Sequence, residues 1–101
     1  MNSKEQDNFE LLRKIYKDPT LSQRELAKGL GFSLGKLNYC LRSLRKKGLV
    51  KLENFKKRKK KIAYMQYVIT PKGIAVRTKL TINFMRSKFK EYEELRKEIN
   101  Q

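Results

Sequence analysis

Lys36, Asn38, Tyr39 and Arg42 fall within seven residues and bring together side chains that can read the edges of bases. Arg and Lys donate to the acceptors of guanine, Asn matches the donor and acceptor pair of adenine, and an apolar group can rest on a thymine methyl. Further along comes an unbroken basic run, Lys56, Lys57, Arg58, Lys59, Lys60 and Lys61, whose chemistry is attraction to phosphate. Arg58 is its best candidate for entering a minor groove.

Phosphate contacts supply affinity and register, whereas base contacts supply sequence choice. Readout is therefore assigned to Lys36, Asn38, Tyr39 and Arg42. Phosphate or minor-groove contact is assigned to Arg45, Lys46, Lys47 and Lys56–Lys61. Ser22, Ser33 and Gly35 join that second set. The two serines stand at helix starts with free amides nearby, and glycine lets a backbone come close. The charge distribution agrees: residues 36–61 hold twelve Lys/Arg and one acid, Glu53, for a net +11, against +1 for 1–35 and +4 for 62–101. The bland alternatives are an ordinary solvated helix face and a self-repelling loop.

Other chemistry is thinly represented. The 101 residues contain no histidine and one cysteine, so the commonest acid/base and metal-ligand residue is missing and no internal disulfide can form. No glycine-rich phosphate loop is present. Glu91, Glu93, Glu94 and Glu98 lie among bases and suggest surface pairs. An enzyme, a metal site and a cofactor are not expected. With 26 Lys and Arg against 10 Asp and Glu, the net charge of +16 calls for a polyanionic partner. Double-stranded DNA is the first candidate. An anionic membrane is the second, but no apolar run approaches a membrane span or a signal peptide. A cytoplasmic location is expected.

The elements that must position these residues are legible from periodicity and caps. A first helix is predicted over about 4–17, with Phe9, Leu12 and Ile15 on one face, ended by Asp18-Pro19. Ser22-Gln23-Arg24-Glu25 is a capping box that opens a second helix. Gly29 and Gly31 mark its end, Gly31 being the better left-handed cap. Ser33 starts a third helix, with Leu34, Leu37, Leu41 and Leu44 as its inward stripe and Gly48 at its end; Cys40 sits beside that stripe as a small core residue. Lys36, Tyr39 and Arg42 fall on the opposite side, with Asn38 on its flank. Residues 49–55 and 62–69 read as strands, making a hairpin with the basic run at its tip. Thr70-Pro71 opens a last helix that continues to about Ile99, roughly 40 Å long. The fold expected is mainly α with a small β-hairpin: a winged helix-turn-helix over 1–70 and a long C-terminal dimerisation helix over 71–101.

Ile82, Met85, Phe89, Tyr92, Leu95 and Ile99 form an apolar stripe on that last helix. It requires cover, either from a second copy, parallel or antiparallel, or from the chain's own first helix.

The stretch S-Q-R-E-L-A-K-G-L-G-F-S-L-G-K-L-N-Y-C-L-R-S-L-R-K-K-G-L-V-K, followed by I-T-P-K-G after the hairpin, resembles the MarR-type winged-helix regulators. The L-T-I-N-F-M and E-Y-E-E-L-R-K-E-I segments of the last helix are similar to the short branch called EPS-associated MarR-family regulators. The resemblance spans about residues 9–99. It implies a bacterial, dimeric, sequence-specific DNA-binding transcription regulator acting near exopolysaccharide or surface-polysaccharide genes. Two departures stand out: a single long C-terminal helix where larger MarR proteins have several, and no Asp-x-Arg in the hairpin. The residues alone leave open a low-specificity nucleic-acid binder, architectural or RNA-binding, and a protein-docking module. They name no small-molecule effector.

Overall fold

The computed structural model describes residues 3–57 and 62–100, with side chains described for 3–54 and 66–100. In chain order the elements are α1 (Ser3–Lys17), α2 (Gln23–Leu30), α3 (Leu34–Lys46), β1 (Val50–Lys57), β2 (Ile62–Ile69) and α4 (Pro71–Ile99). This is a winged helix-turn-helix with a long C-terminal helix, as the sequence pattern requires.

Local chemistry sets the boundaries. The Ser22 hydroxyl accepts from the Glu25 amide at 3.1 Å while the Glu25 carboxylate accepts from the Ser22 amide at 3.3 Å, closing the capping box. Gly31 ends α2 at φ 69°, in the left-handed region. Gly48, at φ 74°, does the same after α3. There the Leu49 amide donates to the Leu44 carbonyl and the Gly48 amide to the Arg45 carbonyl, both at 2.9 Å, the Schellman pattern. That bonding keeps Leu49 in the turn, so β1 starts at Val50, one residue later than periodicity suggests.

The core gathers Leu11, Leu12 and Ile15 of α1, Leu26 and Ala27 of α2, and Leu37, Cys40, Leu41 and Leu44 of α3, with Leu49 and Val50 below them. Each fully buried leucine stabilises the fold by about 1.5–3 kcal/mol. One expectation needs correction: Leu34 is 52% exposed, and Cys40, 3% exposed, takes its place. Residues 37, 40, 41 and 44 follow the i, i+3, i+4, i+7 pattern of a single buried face. Leu34, at the first helical residue, lies off the centre of that face.

α4 is tied to the end of α3. The Thr70 hydroxyl accepts from the Gly73 amide at 3.0 Å and donates to the Gly48 carbonyl at 2.6 Å, while the Thr70 amide donates to the Leu49 carbonyl at 3.0 Å. Gly73 is required by close approach, since a Cβ there would overlap the Leu49 carbonyl oxygen and lie 2.7 Å from Ile69 Cγ1. α1 then covers the proximal half of α4. Phe9 and Phe84 meet with ring centroids 5.9 Å apart, and the Arg77 guanidinium stacks 3.9 Å over Tyr16. The stripe toward its distal end receives no such cover from the described residues: Ile82, Met85, Phe89, Tyr92, Leu95 and Ile99 are between 44% and 83% exposed. The molecule measures 66 × 25 × 25 Å. Among the described residues no helix is long and apolar enough to cross a membrane.

Candidate nucleic-acid interface

The outer side of α3 holds the site. Lys36, Asn38, Tyr39 and Arg42 are all exposed, as are Gly35, Arg45, Lys46 and Lys47. α3 contains no acidic residue. At 100° per residue, burying Leu37, Leu41 and Leu44 turns Gly35, Arg42, Tyr39 and Lys46 to the opposite side. A Cβ built on Gly35 meets nothing within 4 Å, so a duplex backbone can come close at this point. The Ser33 hydroxyl accepts from the Lys36 amide at 3.1 Å, and the Ser22 hydroxyl is likewise engaged in its own cap. Both serines keep only their O–H proton for an incoming phosphate.

The four readout residues do not stand alike. Lys36 Nζ lies 3.1 Å from Asp7 Oδ2 and 4.4 Å above the Phe32 ring, so α1 and the turn hold it. Lys4 Nζ sits 5.5 Å from the Tyr39 ring centre. Asn38 and Arg42 make no side-chain hydrogen bond or ion pair with other described residues and are free to donate. Lys4, Tyr39, Arg42, Ser43, Arg45 and Lys46 line an open cleft of about 640 Å³ along the helix. Four of those six side chains are cationic, so the cleft suits a polyanion. Sequence reasoning missed Lys4 and Asp7, because only the packing of α1 across α3 brings the first turns of α1 here.

Strands β1 and β2 pair antiparallel from Val50 opposite Ile69 to Lys57 opposite Ile62. The Gln66 side-chain amide donates to the Pro19 carbonyl and ties the hairpin to the α1–α2 loop. Glu53, the single acid of the basic segment, is paired with Lys51 at 2.7 Å. Arg58, Lys59, Lys60 and Lys61 lie outside the described residues, as do the side chains of Lys56 and Lys57.

Cys40 packs in the core. Burial pushes its thiol above the ordinary value and Asp7 adds to the shift, while Lys36 and Lys4 pull the other way. A protonated, buried thiol is a poor nucleophile.

Residues 8–51 match a family model described as winged helix-turn-helix DNA-binding. No curated protein matches the chain in sequence. Among solved structures, the chain is similar to MepR, a transcription regulator of the Staphylococcus aureus multidrug efflux pump MepA. Identity is 19% with a TM-score of 0.69, over 87% of this chain and 63% of MepR. It is similar to MepR in a DNA complex at 20% identity and TM-score 0.65, over 80% of this chain and 57% of that one. The PcaV transcriptional regulator of Streptomyces coelicolor, solved with its natural ligand, matches at 19% identity and TM-score 0.66, over 85% of this chain and 57% of that one. The chain thus spans about three fifths of the length of these regulators. The chain thus shares the fold of these regulators, a winged helix-turn-helix with a long C-terminal helix, and its residues 8–51 match the winged helix-turn-helix model.

Proposed function

We propose that this chain is a dimeric, sequence-specific DNA-binding transcription regulator that lays the outer face of α3 in a major groove. One observation carries the reading. An acid-free helix, in the recognition position of a matched winged helix-turn-helix, exposes Asn38 and Arg42 beside a cationic cleft, with no side-chain partner among the described residues. Arg42 and Asn38, with Lys36 and Tyr39, choose the sequence. Arg45, Lys46, Lys47 and the basic run Lys56–Lys61 hold phosphates. Lys4 joins them from across the cleft.

The exposed stripe from Ile82 to Ile99 supports the dimer, since a contiguous apolar face on a projecting helix marks an interaction surface. A dimer that neutralises about eight phosphates should show log K falling against log salt with a slope near roughly −7. The sequence resemblance to the EPS-associated branch points to polysaccharide-synthesis genes as targets and to a bacterial cytoplasm as the site of action. Immunoprecipitation of the bound chromosome tests that assignment.

Selection of bound sequences from random DNA tests the function. A regulator of this kind enriches a palindrome. The lysine-dominated tip supports a second reading, a binder of low specificity, which would enrich no motif and bind all duplexes alike.

A further inference from the structure

From the pattern of α4 we infer that two copies pair through antiparallel α4 helices, an arrangement that rests on the dimeric reading above. The stripe is close to symmetric about a point between residues 90 and 91. A two-fold axis there sets Ile82 against the partner's Ile99, Phe89 against the partner's Tyr92, and Met85 beside the partner's Leu95. The side chains so matched are the exposed apolar ones of the distal half. At 3.5 residues per turn Ile82, Met85, Phe89, Tyr92 and Ile99 keep to the a and d positions of one seam, while Leu95 falls one place beside it and Arg96 takes the remaining a position.

Charge chooses the direction. The six bases of α4 from Lys72 to Lys90 precede its first acid, whereas Glu91, Glu93, Glu94 and Glu98 share the distal end with Arg96 and Lys97 and leave it net −2. Parallel pairing lays acid on acid and base on base. Antiparallel pairing lays the acidic end of each helix along the basic middle of the other. Arg86 and Glu93 flank the seam on one side, one heptad apart, so the two-fold brings Arg86 to the partner's Glu93 twice per dimer.

The bodies add a second argument. Residues 1–70 carry a net +12. Parallel helices would bring two such bodies to the same end. Antiparallel helices hold the two Pro71 positions about 58 Å apart at 1.5 Å per residue, several Debye lengths at physiological salt. The Thr70 bonds to the end of α3 then fix each recognition helix to its own end of the pair.

Cysteine cross-linking in a Cys40→Ala background tests the arrangement. Across the proposed axis the two residues at position 82 lie about 25 Å apart along the helices, far beyond the ~7 Å Cα separation a disulfide tolerates. Ile82→Cys alone and Ile99→Cys alone should stay uncross-linked on oxidation, and their mixture should form a covalent dimer. Self-cross-linking of each single variant, with none between them, would overturn the antiparallel arrangement and leave the dimer standing. A monomer in sedimentation at tens of micromolar would remove the dimer, and this inference with it. A charge swap gives a second readout on exposed Arg86 and half-buried Glu93, neither of them a core residue. Glu93→Arg should loosen the dimer by roughly tenfold and Arg86→Glu/Glu93→Arg should restore it. Under parallel pairing Lys88, not Arg86, faces position 93, so failure of the double swap to restore the dimer also overturns the inference.

Discussion

Replacing Asp7 with asparagine should tighten DNA binding. In the unbound chain Asp7 Oδ2 holds Lys36 Nζ at 3.1 Å, with side chains 20% and 45% exposed. Lys36 can reach a base or a phosphate only by leaving that carboxylate, so the pair subtracts from binding. Exposed ion pairs contribute about 0.2–1 kcal/mol, and water around Lys36 keeps this one within that range. Asp7→Asn should therefore lower the Kd by about 1.4- to fivefold and reduce stability by no more than about 1 kcal/mol. Fluorescence anisotropy on a selected duplex at fixed salt measures the first effect, and urea denaturation the second. Removing a negative charge near DNA helps by itself, so the decisive comparison is a double-mutant cycle with Lys36→Met. If Asp7 acts by holding Lys36, most of the gain disappears in that background. An equal gain with and without Lys36, or weaker binding by Asp7→Asn alone, would refute the reasoning.

Arg42→Ala should cost about 1–3 kcal/mol on the preferred site and relax the base preference at one position, read by repeating the selection, whereas Arg58→Ala should weaken all sequences alike and lower the salt slope by about one. Leu41→Ala, at a fully buried position, should cost about 2–5 kcal/mol in chemical denaturation. Gly73→Ala should destabilise by at least about 3 kcal/mol, because its methyl would collide with the Leu49 carbonyl where α4 docks. Cys40 should resist alkylation by iodoacetamide at neutral pH until the protein unfolds. With its thiol pushed up in the folded state, the linked stability is complete below the unfolded thiol range and is lost as pH rises through the folded value.

The frame was legible because its signals are local. Ser22 and Glu25, Gly31, Ser33, Gly48 and Thr70-Pro71 each act on neighbouring backbone groups, and the structure uses each as a boundary. Hydrophobic period gave the buried faces but blurred their edges. Leu34 drops out of the buried face because packing centres that face between residues 37 and 44, with Cys40 inside it as the small core residue expected. What sequence could not supply depends on tertiary approach. Lys4 and Asp7 reach α3 only through the crossing of α1, and Gly73 is needed only because the Leu49 carbonyl in the turn after α3, with Ile69 at the end of β2, presses against the base of α4. The distal stripe of α4 was visible as a pattern, but its exposure required the structure.

The central claim is that the face of α3 bearing Arg42 and Asn38 selects a DNA sequence. Its most direct measurement is a competition titration, with protein held on a selected duplex and displaced by that duplex or by unrelated DNA at one salt concentration. The account predicts a preference of about a thousandfold or more, lost in large part with Arg42→Ala and Asn38→Ala together. Equal displacement by both duplexes, or a preference that survives the double substitution, would contradict it.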